Sequence, residues 1–222
     1  MRYTNHGDMV ANILDNYDSA TPDQVAAGAR WYEVARNIVR LIAEDTGVEE
    51  ARVAMALSAL SPRNPWRWNV ADAYAFTVAR ATERTIPTAT TYTRNRLSAW
   101  RALNAESPWS TAALKVRSFA ACILGDHDSV VVDTWAARVA TAGGLSYGRG
   151  HSITPKQYRA IAAAYVDAAE QRGVLPATMQ AVTWLVSQTE GLASSRRGRH
   201  DLSYKAGTPE WLRAALAEGS IE

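Results

Sequence analysis

Apolar residues recur at three- and four-residue spacing along almost the whole chain, and strict alternation of apolar and polar residues is nearly absent. This spacing places apolar side chains on one face of an α-helix, whereas alternation would favour strands. Turn-forming groups such as Ser61-Pro62 and Gly143-Gly144 separate the periodic segments. The sequence therefore predicts an all-α fold of about ten helices.

The predicted helices share this spacing and are bounded by capping residues or by Gly, Pro and Ser. We expect them at about 8–17, 22–47, 48–60, 66–82, 91–104, 110–124, 133–142, 155–172, 177–190 and 208–217. The valine run at 130–132 is predicted either as a short strand or as an extended segment that leads into a helix. The chain is expected to form one unit over residues 1–222, with two apposed lobes that meet near 143–154.

Composition excludes several classes of protein. The single cysteine, Cys122, excludes an internal disulfide and a cysteine-based zinc or iron–sulfur site. The four histidines are scattered, so we expect neither a metal site nor a cofactor. No apolar run has membrane-spanning length and the N-terminus lacks the pattern of a signal peptide. These features predict a cytoplasmic protein without a membrane partner, and the net charge of +2 permits a local basic patch.

The segment 115–139 reads KVRSFAACILGDHDSVVVDTWAARV. Lys115 opens an apolar helical run and Asp133 follows the three valines. On pattern alone, Asp133 is more often a helix cap and Lys115 a solvated surface residue. The alternative is a reactive pair, because a shielded lysine can act as a nucleophile while a nearby carboxylate moves protons and stabilises a cationic sugar.

Two further segments combine basic and aromatic side chains. The first, at 61–69, is predicted as a turn that stacks on an unpaired base or binds phosphates, or else as a turn that its tryptophans anchor to the core. Its candidate DNA contacts are Arg63, Asn64, Trp66, Arg67, Trp68 and Asn69. The second lies at 193–205, where Arg196, Arg197, Arg199, His200 and Lys205 either bind phosphates or form a solvated tail that pairs with surface acids. Arg138 is a candidate phosphate contact or a structural ion pair.

Two of these segments together resemble a known superfamily. LSALSPRNPWRWNVADAYAF is similar to the "LS-Q-x-T-S-W-x-x-V" segment of the helix–hairpin–helix DNA glycosylases, which include the endonuclease III-like enzymes, and 115–139 is similar to their catalytic segment ending in "V-D-T-H-x-x-R-V". The resemblance implies that Lys115 attacks the sugar C1′ and that Asp133 activates it and stabilises the oxocarbenium charge. The glycine turn of the hairpin is replaced by ESPWSTAAL at 106–114, so a glycosylase-like fold with a degenerate hairpin is expected.

KVRSFA-CILGD and VDTWAARVA look closer to a divergent branch of this superfamily, found in bacterial viruses that hypermodify thymine. The superfamily implies an enzyme that processes an extruded DNA base or its sugar. The viral branch implies an alternative, a transferase that couples a free amino acid to activated hydroxymethyl-uracil in DNA within the cytoplasm of a bacterial host. A third alternative is a non-catalytic module that binds DNA or a host protein.

Overall fold

The structure, a computed structural model, describes residues 4–62, 64–105, 107–109, 113–143, 153–194 and 205–218. Within these ranges the chain forms helices and no strand. The helices are α1 (His6–Asp18), α2 (Pro22–Thr46), α3 (Glu50–Leu60), α4 (Trp66–Ala81), α5 (Thr93–Asn104), α6 (Leu114–Ile123), α7 (Thr134–Ala140), α8 (Pro155–Arg172), α9 (Pro176–Ser194) and α10 (Glu210–Glu218). The all-α prediction of about ten helices is confirmed. None of the described helices is both long enough and apolar enough to cross a membrane.

Helix starts follow local capping signals in the sequence. At the start of α2, Gln24 N–H donates to Thr21 Oγ1 at 3.2 Å, and Thr21 N–H donates to Gln24 Oε1 at 2.9 Å. Thr154 and Gln157 form the same reciprocal pair at the start of α8. Each pair satisfies backbone N–H groups that the first helical turn leaves without intrahelical acceptors.

The chain divides into two compact units. Unit 1 comprises Met1–Tyr32 and Asp126–Gly198, and unit 2 comprises Glu33–Gly125 and Arg199–Glu222. Residues 144–152 lie outside the described ranges, so the lobe junction expected near 143–154 stays a prediction.

Unit 1 is built from α1, α7, α8 and α9, which pack on one another, together with the first part of α2. Gly28 of α2 allows a close approach to α9, because a Cβ atom at this position would lie 2.4 Å from Val182 Cγ2. The rings of Trp31 and Trp184 meet edge to face at 5.9 Å. Close helix packing of this kind fixes the part of α9 that lies beside α7.

Unit 2 is organised around α3, whose residues 53–60 are all buried and which packs on α4, α5 and α6. Arg52 donates to the carbonyl oxygen of Leu103 at 3.1 Å and so links α3 to the end of α5. The rings of Tyr74 and Trp211 meet edge to face at 5.6 Å, which joins α10 to α4.

The valine run forms the extended lead-in to α7 and not a strand. Its three side chains are buried, and Tyr158 of α8 holds its backbone. The Tyr158 hydroxyl donates to the carbonyl oxygen of Val130 at 2.9 Å and accepts the N–H of Val132 at 3.2 Å. One phenol thus replaces the strand partner that a buried extended segment would otherwise need.

Candidate functional site

Asp133 is the N-cap of α7. Its Oδ1 accepts the backbone N–H of Ala136 at 2.8 Å, and the residue is half-buried. The capping prediction is therefore confirmed. A cap of this kind fixes the side chain at the helix start and is compatible with a chemical role, because a carboxylate has two oxygens.

The charge of Asp133 acts on the interior of unit 1. Burial raises the pKa of Tyr165, the hydrogen bond with Thr183 at 3.2 Å lowers it, and the negative charge of Asp133 raises it further. The Tyr165 hydroxyl also lies 3.4 Å from the carbonyl oxygen of Ala136, in the first turn of α7. A protonated phenol therefore packs beneath the helix that Asp133 caps.

Trp135 and Arg138 follow Asp133 on α7 and occupy one face, since residues three apart are neighbours on a helix. The Arg138 guanidinium lies 5.2 Å from the centre of the Trp135 ring, a cation–π distance. Arg138 is exposed and Trp135 is half-buried. Together they offer a flat aromatic surface and a positive charge side by side.

These two side chains form part of the wall of an open depression of about 660 Å³ in unit 1. Its lining comes from α1 and its C-cap, from α7 and the turn after it, and from α9: Asn12, Asp15, Asn16, Ser19, Trp135, Arg138, Val139, Ala142, Gly143 and Ser187. Asn12 Nδ2 donates to the carbonyl oxygen of Ala140 at 3.0 Å and ties α1 to α7. Asn16 Oδ1 is buried and has no hydrogen-bond partner in the described part of the chain.

The contribution of α1 to this depression was not expected from the sequence. Asp15 and Asn16 lie three and four residues after Asn12, and the C-cap Ser19 lies four and three residues after them, so the four form a polar stripe along α1. That stripe is the signal that could have marked the helix as part of a site, because it adjoins the buried face formed by Met9, Val10 and Ile13.

Lys115 is the second residue of α6 and is half-buried. Its expected position at a helix start is confirmed. It belongs to unit 2, whereas Asp133 belongs to unit 1. The reactive pair of Lys115 and Asp133 therefore stays a prediction.

The turn expected over residues 61–69 is shorter in the structure and ends before Trp66. Helix α4 begins at Trp66, so Trp66, Arg67, Trp68 and Asn69 belong to its first turn, and the first three are half-buried. Asn69 is only 1% exposed, so its side chain lies in the interior of unit 2, and the two alternatives for the tryptophans stay predictions. Of the two candidate contacts in the turn itself, Asn64 is described and Arg63 lies outside the described residues.

Of the candidate basic residues at 193–205, the structure describes Lys205 alone. Arg196, Arg197 and Arg199 lie outside the described residues, and their predicted phosphate contacts stay predictions. Lys205 is described, and its Nζ forms an ion pair with Asp72 of α4. Asp72 is fully buried, so this ion pair differs from the expected pairing with surface acids.

Comparison with known proteins gives a family but no activity. Residues 2–191 match the sequence model of a family described as a family of unknown function, DUF7178, and the chain belongs to this family. No curated protein and no solved structure matches the chain.

Proposed function

We propose that this member of a family without an assigned activity is a DNA-base-processing enzyme of the glycosylase-like kind, which acts on an extruded base or its sugar. Asp133 serves as the carboxylate and Lys115 as the nucleophile. DNA is the main partner, and the buried thiol of Cys122 suits a reducing cytoplasm.

The main support is that one short helix begins at the capped Asp133 and contributes Trp135 and Arg138 to the wall of the depression. Its volume of about 660 Å³ lies within the usual range of small-molecule sites, about 300–1,000 Å³. Aromatic rings and arginine side chains are the groups on which unpaired bases stack. A base that has left the duplex would stack on Trp135, while Arg138 would meet a backbone phosphate.

The proposed chemistry uses a charge that develops on the sugar. The deprotonated amine of Lys115 forms a bond to C1′ while the bond between C1′ and the base breaks, and the base leaves with the electron pair of that bond. Asp133 stabilises the positive charge that develops on the sugar, and the proton that the amine loses passes to solvent. The Ala136 N–H holds the Asp133 carboxylate at the start of α7, and Tyr158 holds the backbone of the valine run before it, so that little reorganisation is needed during reaction.

A transferase is the second candidate, favoured by the two charges of the depression. Asp15 and Arg138 are both exposed and both line it. Such a pair matches the ammonium and carboxylate groups of a free amino acid. In this case Asp133 would remove a proton from the attacking amine of that amino acid.

Nucleoside mass spectrometry separates these candidates. Duplexes that contain damaged, hydroxymethylated or pyrophosphorylated pyrimidines are incubated with the protein, with and without a mixture of free amino acids. Base loss without amino acids supports the glycosylase, whereas a mass increase that requires an amino acid supports the transferase. Unchanged nucleosides together with DNA binding would support the alternative that the protein is a non-catalytic binding module.

Asp133→Asn tests the carboxylate in whichever reaction is found. Asparagine keeps the shape and the helix cap, so the rate should fall about a hundredfold or more while the unfolding free energy changes by less than about 1 kcal/mol. Asp128→Asn is the matched control, because Asp128 is an exposed carboxylate in the same connecting segment. Equal rates for the two variants would reduce Asp133 to a cap.

A further inference from the structure

Unit 2 has a depression of its own, where the turn between α2 and α3 meets the ends of α4 and α5. Its volume is about 300 Å³. Arg52 of α3 and Arg80 of α4 both line it, and Glu49 is the one carboxylate among its described lining residues. Two guanidinium groups thus face one carboxylate, and the wall carries a net positive charge.

Arg80 is a half-buried arginine without a counter-charge. Its guanidinium forms no ion pair and no hydrogen bond in the described part of the chain, and its Nε is buried. The end of α4 does not need it, because the backbone N–H groups of residues 82–84 already donate to the carbonyl oxygens of residues 78–80. A guanidinium that has lost part of its hydration without gaining a partner is unfavourable. An anion beside its Nη groups would offset this cost.

Arg52 is held at the same depression by the protein itself. Its Nη1 donates to the carbonyl oxygens of Leu103, at 3.1 Å, and Ala105, and its Nε lies 3.4 Å from Glu49 Oε2. Its Nη2 has no partner in the described part of the chain. The side chain is only 24% exposed. Arg52 therefore offers an ordered donor, in contrast to a mobile arginine on the surface.

The remaining charges of the wall favour an anion with several oxygens. The start of α3 lies at the depression and has no side-chain cap, and the positive end of a helix dipole attracts negative charge. Glu49 opposes an anion, but its side chain is 64% exposed, so solvent screens its charge. Arginine pairs with phosphate through two parallel hydrogen bonds, and a phosphate group has enough oxygens for two arginines.

We propose that this depression, the Arg52–Arg80 site, binds the phosphate group of a small phosphate monoester. The Nη groups of Arg80 and the Nη2 of Arg52 donate to the phosphate oxygens, and the remaining volume holds a small organic substituent. A backbone phosphate of DNA has the same chemistry, and competition experiments separate the two sources. The site is independent of the proposed function, because every residue involved lies in unit 2 and none lines the depression of unit 1.

Binding of inorganic phosphate to the full-length chain tests the site directly. At constant ionic strength, calorimetry should show saturable binding, and acetate should bind at least tenfold more weakly because it carries less charge and has fewer oxygens. Arg80→Gln should weaken the binding of phosphate about tenfold or more, since hydrogen bonds between charged groups are lost. Arg117→Gln, which removes an exposed arginine of α6, is the matched control and should bind as the wild type does. No saturable binding, equal affinity for acetate, or equal affinity in the two variants would overturn the proposal.

Neutralising Glu49 tests the same site with the opposite sign. Glu49→Gln removes a negative charge from the wall and releases the Nε of Arg52, so phosphate should bind about threefold more tightly. Loss of a merely structural ion pair would not raise the affinity for an anion. Glu33→Gln neutralises an exposed glutamate of α2 that does not line the depression, and should leave the affinity unchanged. An affinity for phosphate that is unchanged or lower in Glu49→Gln would show that phosphate does not bind beside this residue, and would reject the site.

Competition with DNA identifies the source of the phosphate. Glycerol 2-phosphate should bind the wild-type chain at least as tightly as inorganic phosphate does, because the volume of about 300 Å³ leaves room for the glycerol. Arg80→Gln should then weaken the binding of glycerol 2-phosphate and leave the affinity for a DNA duplex unchanged. A weaker affinity of Arg80→Gln for the duplex, together with displacement of the duplex by glycerol 2-phosphate from the wild type, would overturn the assignment to a small ester and make the ligand a DNA phosphate.

Discussion

The depression of unit 1 and the buried carboxylate of Asp72 in unit 2 place charged groups in opposite environments. Asp15 and Arg138 line the depression and are exposed to solvent, whereas Asp72 is fully buried and accepts three hydrogen bonds. Exposed charges contribute little to stability, and buried ones cannot lose a partner without a large penalty. A change of charge should therefore cost little stability in the depression of unit 1 and much at Asp72 in unit 2.

Replacing the buried carboxylate of Asp72 should cause the largest loss of unfolding free energy. Asp72→Ala leaves Asn64, the Thr90 N–H and the Lys205 ammonium without their acceptor, and should lower the unfolding free energy by roughly 3–5 kcal/mol. Urea denaturation gives the value. Asp15→Ala in unit 1 is the matched substitution, and should change it by no more than about 0.5 kcal/mol. Similar losses in the two variants would remove the distinction between the units.

The Tyr158 hydroxyl is a buried hydrogen-bonding group of unit 1, so its removal should lower stability, as removal of the Asp72 carboxylate does in unit 2. Tyr158→Phe leaves the buried Val130 carbonyl oxygen and Val132 N–H without partners, so a loss of about 1–3 kcal/mol is expected in urea denaturation. Because the same contacts hold the lead-in to Asp133, the reaction rate should fall as well. Tyr92→Phe removes the hydroxyl of an exposed tyrosine and should affect neither quantity. A stability loss with an unchanged rate would show that Asp133 does not depend on this support.

The smallest effect concerns a hydrogen bond near the surface of unit 2. Burial, and then the hydrogen bond to Asp45 at 2.9 Å, raise the pKa of Tyr74 to about 12 from a usual value of 10.0. A pKa raised in the folded state contributes stability below pH 10, and this contribution disappears as the pH rises towards 12. Urea denaturation between these pH values should show a decline that is shallower for Tyr74→Phe. Parallel curves would indicate that Tyr74 titrates alike in the folded and unfolded chains.

The sequence predicted what depends on nearby residues. The spacing of apolar residues located the helices, and the position of Asp133 before Thr-Trp identified its cap. Both signals act within one or two helical turns, so nearby residues contain the information.

Contacts between distant residues were missed. Lys205 was grouped with the nearby arginines, although its partner Asp72 lies 133 residues earlier in the chain. Asn69 and Asp72 fall in the buried stripe of α4 with Ala73 and Phe76, and two polar residues in such a stripe could have indicated an internal polar cluster. Sequence spacing could not identify the groups that satisfy Asp72, because those groups come from the loops at 64 and 90 and from Lys205 near the C-terminus.

The buried valine run at 130–132 affects how the protein would aggregate when it unfolds in part. Three consecutive valines favour a β conformation, and such a segment readily pairs with copies of itself when its backbone is exposed. In the folded chain the Tyr158 hydroxyl bonds to the run, and its side chains are among the least accessible in unit 1. Partial unfolding of unit 1 that separates α8 from this run would therefore release an aggregation-prone segment. A single phenol that positions a carboxylate also protects this helical protein from cross-β association.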